Sequence, residues 1–143
     1  MTGVQRCALQ RKSMDVDYSL MGGGMADTSD TVAKAQKIID IAATRQDCLA
    51  FISPNRNDVI GQSDVNVIVN RTVDFFNQLS STSYAVFDNN YKYIYDKYND
   101  KYRYIACNAD VAGLTLSTTL NSEAWYSPAG FNRGQLRNAI KLA

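Results

Sequence analysis

An α/β fold, a sheet flanked by helices, is what the residue pattern predicts, and three observations predict it. Two stretches carry apolar residues at helical spacing: Val32, Ala35, Ile38, Ile39 and Ala42 in the first, and Val65, Ile68, Val69, Thr72, Val73, Phe76 and Leu79 in the second. Between them lies a short unbroken apolar run, Cys48-Leu49-Ala50-Phe51-Ile52, stopped by Ser53-Pro54. A run that short and without alternation suits a strand buried on both faces, and helices alternating with such strands point to a parallel sheet. The 143 residues, 45% of them hydrophobic, are enough for one domain with one core.

Residues 1–12 are set apart as a leader foreign to the fold, because TGVQRCAL resembles translated sequencing-adapter read-through and does not join the pattern behind it. The domain is expected over residues 13–143. Val16 to Leu20 reads as a short strand that gives way to a loop at Met21-Gly22-Gly23-Gly24. Asp27, Thr28, Ser29 and Asp30 offer N-caps for the first helix, which should run to about Arg45, and Ser63 or Asp64 caps the second. A polar loop with Asn55, Asn57 and Gly61 joins the buried strand to that second helix. Tyr84-Ala85-Val86-Phe87 and Tyr91-Lys92-Tyr93-Ile94-Tyr95 flank Asp88-Asn89-Asn90, which predicts a β-hairpin around residues 84–95. Tyr102, Tyr104 and Ile105 suit a strand, and Ala106, Ala109, Ala112 and Leu116 a helix reaching about Thr119, weakened at Gly113. Asn121 to Arg133 should be an ordered loop, and Asn138 to Ala143 ends on an apolar run as a chain cut in mid-element would.

Composition excludes several chemistries. The chain has no histidine, so imidazole zinc sites, Ser-His-Asp triads and Cys-His dyads cannot be built within it. With 15 Lys+Arg against 14 Asp+Glu the net charge is +1, too little positive field for a non-specific nucleic-acid or anionic-membrane binder. No apolar run approaches the roughly 20 residues of a membrane span, so no membrane partner is expected and synthesis in the cytoplasm is. Cys7, Cys48 and Cys107 are odd in number, widely spaced and without a CxxC, which argues against a disulfide framework or thiolate metal site.

Each short motif has a plainer reading beside the functional one. Gly22-Gly23-Gly24 could cradle a phosphate but lacks the GxxxxGK[ST] and GxGxxG patterns, leaving a loop. Asn70-Arg71-Thr72 matches a glycosylation sequon inside a predicted helix, a chance match. Asp96, Asn99 and Asp100 resemble the start of a calcium loop without its glycine and closing glutamate, so a polar turn accounts for them. The densest feature is a row of tyrosines, Tyr84, Tyr91, Tyr93, Tyr95, Tyr98, Tyr102 and Tyr104, with lysines and aspartates between them. Such rings can stack nucleic-acid bases or anchor a protein–protein interface, and without a basic surplus the interface reading is preferred. Tyr91, Tyr93, Tyr95, Lys97 and Asp100 are its candidate contacts.

Four motifs crowd the last stretch of about 60 residues: YDKYND at Tyr95 to Asp100, ADVAGL at Ala109 to Leu114, W-x-SPAG-x-NRG from Trp125 to Gly134, and the closing IKLA. In combination they resemble the tail sheath protein of large contractile-tailed bacteriophages, with the preceding helix–strand–helix matching more loosely. The resemblance implies part of a sheath core domain, subtilisin-like by fold, in which Val111-Ala112-Gly113 opens a helix and the proline-centred segment packs beneath it. Ala112, Gly113, Trp125, Pro128, Gly130 and Arg133 are then structural supports.

The function so implied is a subunit that polymerises helically around the tail tube and drives the tube through the host envelope by contraction, with stored interface free energy as its source. Its partners would be neighbouring sheath subunits, the tail tube protein, and baseplate and tail terminator proteins. Its place would be the virion tail sheath, and the host cytoplasm during assembly. No catalytic residue, cofactor or metal is expected. Two rivals are a fragment of an α/β hydrolase-like enzyme and a small-ligand binding α/β domain using the Gly22 loop at the carboxyl end of a strand.

Overall fold

The computed structural model describes residues 18–23, 30–122, 126–131 and 133–143. The expected leader, Gly24, the capping candidates Asp27, Thr28 and Ser29, and Trp125 lie outside the described residues. Two small sheets organise the chain. The first is parallel, in the order β1 (Tyr18–Gly23), β2 (Cys48–Ser53), β3 (Ala85–Phe87). The second is antiparallel, with β4 (Tyr91–Asp96) between β5 (Lys101–Ala106) and β6 (Lys141–Leu142).

Helix α1 (Asp30–Arg45) connects β1 to β2, and a one-turn helix α2 (Arg56–Val59) followed by α3 (Val65–Asn77) connects β2 to β3. On α1 the buried positions Thr31, Ala35, Ile38, Ile39 and Ala42 recur at three and four residues, so one stripe faces the sheet. The helix stops where Gln46 takes the left-handed region, φ 59°. Asp64 caps α3, its Oδ1 accepting the Asn66 N–H at 2.8 Å. Cys48, Ala50 and Ile52 of β2 join α1 and the Phe75 and Leu79 side of α3 in the core cluster. Alternation places Phe51 on the opposite face, where it is 1% exposed and where α4 (Asn108–Asn121) packs against β1 and β2. Both faces of β2 are thus covered, as its unbroken apolar run requires.

Three expectations need correction. The hairpin around residues 84–95 does not form: β3 pairs in parallel with β2, and Asp88-Asn89-Asn90 carries the chain from one sheet to the other. Asp88 Oδ1 accepts the Asn90 N–H at 3.1 Å, a local turn that redirects the chain without closing a hairpin. The hairpin lies one step further on, between β4 and β5, with Lys97 to Asp100 as its loop. Secondly, Gly22 and Gly23 belong to β1, paired with Ile52 and Ser53, so the strand runs into the expected loop. Thirdly, α2 occupies part of the expected polar loop and buries Val59; a single turn carries no detectable period.

Candidate functional site

The tyrosine row becomes a surface through strand register. Tyr93 lies opposite Tyr104 and Tyr95 opposite Tyr102, so alternation puts these four rings on one face of the second sheet. Tyr93 sits at the centre, its ring 5.4 Å from that of Tyr102, stacked, and 4.7 Å from that of Tyr104. Tyr95 adds to the row 5.1 Å from Tyr102. From β6 the Lys141 ammonium stands 5.2 Å from the Tyr93 ring centre and 5.8 Å from that of Tyr104, a cation over two aromatic faces. The result is a preordered aromatic surface, exposed at Tyr95 and Tyr102 and half-buried at Tyr93 and Tyr104.

The turn between the strands is built from the acidic residues that mimicked a calcium loop. Asp96 Oδ1 accepts the Tyr98 N–H at 3.1 Å, and its Oδ2 accepts the Asn99 side-chain amide at 2.8 Å. These bonds, the Asn99 amide first, hold the Asp96 carboxyl below its ordinary range. Asp100 takes the left-handed region at φ 51° and accepts the Tyr95 hydroxyl, which raises the Tyr95 phenol. The polar-turn reading therefore describes this loop. Lys97 is exposed, 5.1 Å from the ring of Tyr98, itself exposed at the tip.

On the other face Arg103 pairs with Asp96 at 3.1 Å, and Lys92 pairs with Asp110 of α4 at 2.8 Å. A groove of about 760 Å³ runs there past Ile94, Ile105, Ile140 and the Arg103–Asp96 pair.

Tyr91, expected among the surface contacts, is a core residue at 1% exposed. Its hydroxyl donates to the buried Pro54 carbonyl at 2.7 Å, bolting the second sheet to the end of β2. The correction has a simple cause: Tyr91 begins β4 where the chain still lies against the first sheet, and Cys107 N–H returns to Asn90 O beside it. Ala112 is buried on α4, whereas Gly113 is exposed with open space where a Cβ would stand. In the proline-centred segment only Pro128 is half-buried among Tyr126 to Phe131, so what the structure describes of it lies on the surface and not beneath α4. Arg133 Nε donates to Ser127 O at 2.9 Å and its guanidinium lies 5.0 Å from the Tyr126 ring, closing that segment on itself. Gly130 and Arg133 bridge, and a Cβ on Gly130 would come within 3.1 Å of the Arg133 side chain.

Sequence reasoning missed Asn108, Asp110 and Lys141. Asn108 is buried and its side-chain amide reaches Phe51 O at 3.3 Å, joining α4 to β2. A polar residue at a helix start carries no periodic signal, so only packing reveals it. Among the described residues no group of three or more His, Cys, Asp or Glu is placed to hold a metal ion.

No family model matches the chain. The tail sheath protein of Enterobacteria phage T4 is 40% identical over 147 residues, covering 93% of this chain and 22% of that protein. The chain is homologous to part of phage tail sheath proteins. The sheath protein of Vibrio phage KVP40 is 38% identical over 87% of the chain and that of Salmonella phage ViI 32% identical over 80%. The chain spans about a fifth of the length of the curated sheath relatives it matches, 22% and 21% for the first two.

Proposed function

We propose that the chain is part of a structural subunit of a contractile phage tail sheath. The homology carries this reading: three sheath proteins match through 93%, 87% and 80% of the chain, so the match extends well beyond the motif-rich stretch of about 60 residues. The ring-stacked face of β4 and β5 supplies a surface suited to subunit contact, since tyrosines give large contact area at low conformational entropy. Subunits joined by two different patches repeat without closing and build a helix. Tyr93, Tyr95 and Lys97 serve that contact, with Asp100 holding the turn. Ala112, Pro128, Gly130 and Arg133 support the fold of a subtilisin-like sheath core, and residues 1–12 lie outside it.

In this role the assembled sheath surrounds the tail tube, meets baseplate and tail terminator proteins at its ends, and contracts to drive the tube into the host. Subunits would meet in the host cytoplasm and remain in the virion tail. The chemistry is interface free energy alone, without catalysis. The test is electron microscopy of a full-length sheath polypeptide carrying this segment, wild type against Tyr102→Ala. Wild-type tubes and loss of tubes with a folded Tyr102→Ala subunit are expected; a full-length protein that stays monomeric under all polymerising conditions overturns the proposal.

A further inference from the structure

Helix α3 carries an apolar ridge that the described core does not use. Val65, Val69 and Val73, spaced four apart on one side, are 70%, 51% and 48% exposed. The exposed side of α1, by contrast, carries Lys34, Lys37 and Asp40, the usual make-up of a solvent-facing helix. The ridge continues to Phe76, whose ring stacks on that of Phe87 in β3 at 4.6 Å, and Phe87 is itself exposed. Phe75 on the neighbouring flank of α3 and Leu79 just past its end face α1 and the core. β3 is the edge of the parallel sheet, with no described strand beyond it, and the Phe76–Phe87 stack sets the end of the valine ridge against it.

That edge is ready to pair. Tyr84 O accepts the Ala50 N–H and the Asp88 N–H donates to Ile52 O, both 2.8–2.9 Å, so Tyr84, Val86 and Asp88 are the residues bonded to β2. In a parallel ladder the residues between them turn their N–H and C=O to the other side. Ala85 and Phe87 therefore present donor and acceptor outward. The strand Ala85-Val86-Phe87 is short, three residues, but carries no proline, charge or bulge of the kind that blocks edge pairing.

We infer that one further β-strand adds to the outer edge of β3, its apolar side chains packed under the Val65, Val69 and Val73 ridge, and that it comes from the same polypeptide outside these 143 residues. This rests on reading the chain as a segment of a sheath protein, whose relatives have over three-quarters of their length beyond the match. A tethered strand reaches the edge at high effective concentration, and closes it before subunits meet. An edge and ridge left open during synthesis would be an aggregation site.

The test is residue-resolved hydrogen–deuterium exchange on the full-length polypeptide, kept monomeric and then polymerised. In the monomer the Ala85 and Phe87 amides should exchange about 100-fold or more slowly than in an unstructured chain. Ala85→Pro, which removes only an outward N–H, should free the Phe87 amide while the Val86 and Asp88 amides stay protected by β2. Fast exchange at wild-type Phe87 in the monomer overturns the inference, and needs no variant to fold. Protection that appears only on polymerisation overturns it too, assigning the strand to a neighbouring copy. Sheath formation is scored separately: tubes with an unprotected Phe87 sink the strand and spare the sheath reading, whereas protection without tubes does the reverse.

Discussion

Tyr91 shows how one side chain joins two sheets. Its ring is buried and its hydroxyl satisfies the Pro54 carbonyl, so Tyr91→Phe leaves a buried acceptor without its donor and should destabilise the chain by about 1–3 kcal/mol, read by urea denaturation. Burial also pushes the Tyr91 phenol from 10.0 up to about 12, and the nearby Cys107 thiol from 9.0 up to about 11. Both groups are neutral when protonated and keep their protons longer folded than unfolded. Above pH 9 the unfolded state therefore binds fewer protons, and stability falls as pH rises from 9 towards 12. Thermal melts across that range should show the fall beginning with the thiol, and Cys107→Ala should remove its earliest part. Asp88 behaves in the same sense in a lower pH range: burial raises its carboxyl, and its Oδ2 is buried without a partner in the structure. The folded state disfavours its charge, so Asp88→Asn should be the more stable form at pH 7, the advantage shrinking as pH falls towards 4.

Among the elements, α4 offers a direct test of what a motif glycine does. Gly113 sits in the helix interior with nothing within 4 Å of a built Cβ, so Gly113→Ala should stabilise the fold by about 0.5–1 kcal/mol. If that variant melts higher yet the full-length protein no longer forms tubes, the glycine serves an approaching surface and not the helix. Gly134 is the reverse case. At φ 79° and with Pro128 O only 2.4 Å from a built Cβ, Gly134→Ala must move backbone and open the Tyr126 to Arg133 loop, visible as loss of the Arg133–Tyr126 contact in side-chain NMR. The hairpin teaches a related lesson about turns. Asp88-Asn89-Asn90 and Lys97-Tyr98-Asn99-Asp100 are both rich in turn residues, and local chemistry favours a turn at each. Which one closes a hairpin depends on β3 finding a parallel partner in β2, a contact far away in sequence.

For the molecule as a whole, the two tyrosines of the surface row should separate folding from assembly. Tyr93 touches two rings and the Lys141 ammonium, so Tyr93→Ala should lower stability by about 1–2 kcal/mol as well as weaken assembly. Tyr102 is 58% exposed at the rim of the same face, and Tyr102→Ala should leave the melting temperature within a few degrees while lowering tube formation. Denaturation and electron microscopy on the pair measure both quantities.

The residues alone determined α1, β2 and α3, because an amphipathic period or an unbroken apolar run is written into consecutive positions and survives whatever packs against it. They also determined the strand-to-helix passage at β5 and α4, the absence of imidazole chemistry, and, through the motifs of the last 60 or so residues, the likeness to sheath proteins that the comparisons bear out. Tertiary structure decided the rest. The partner of β3, the inclusion of Gly22 and Gly23 in β1, the burial of Tyr91 and the gathering of Tyr93, Tyr95, Tyr102 and Tyr104 under Lys141 all depend on hydrogen bonds and ring contacts between distant positions. A tyrosine on a strand has the same local preference whether its face meets the core or water, so only the sheet that forms beside it settles which it is.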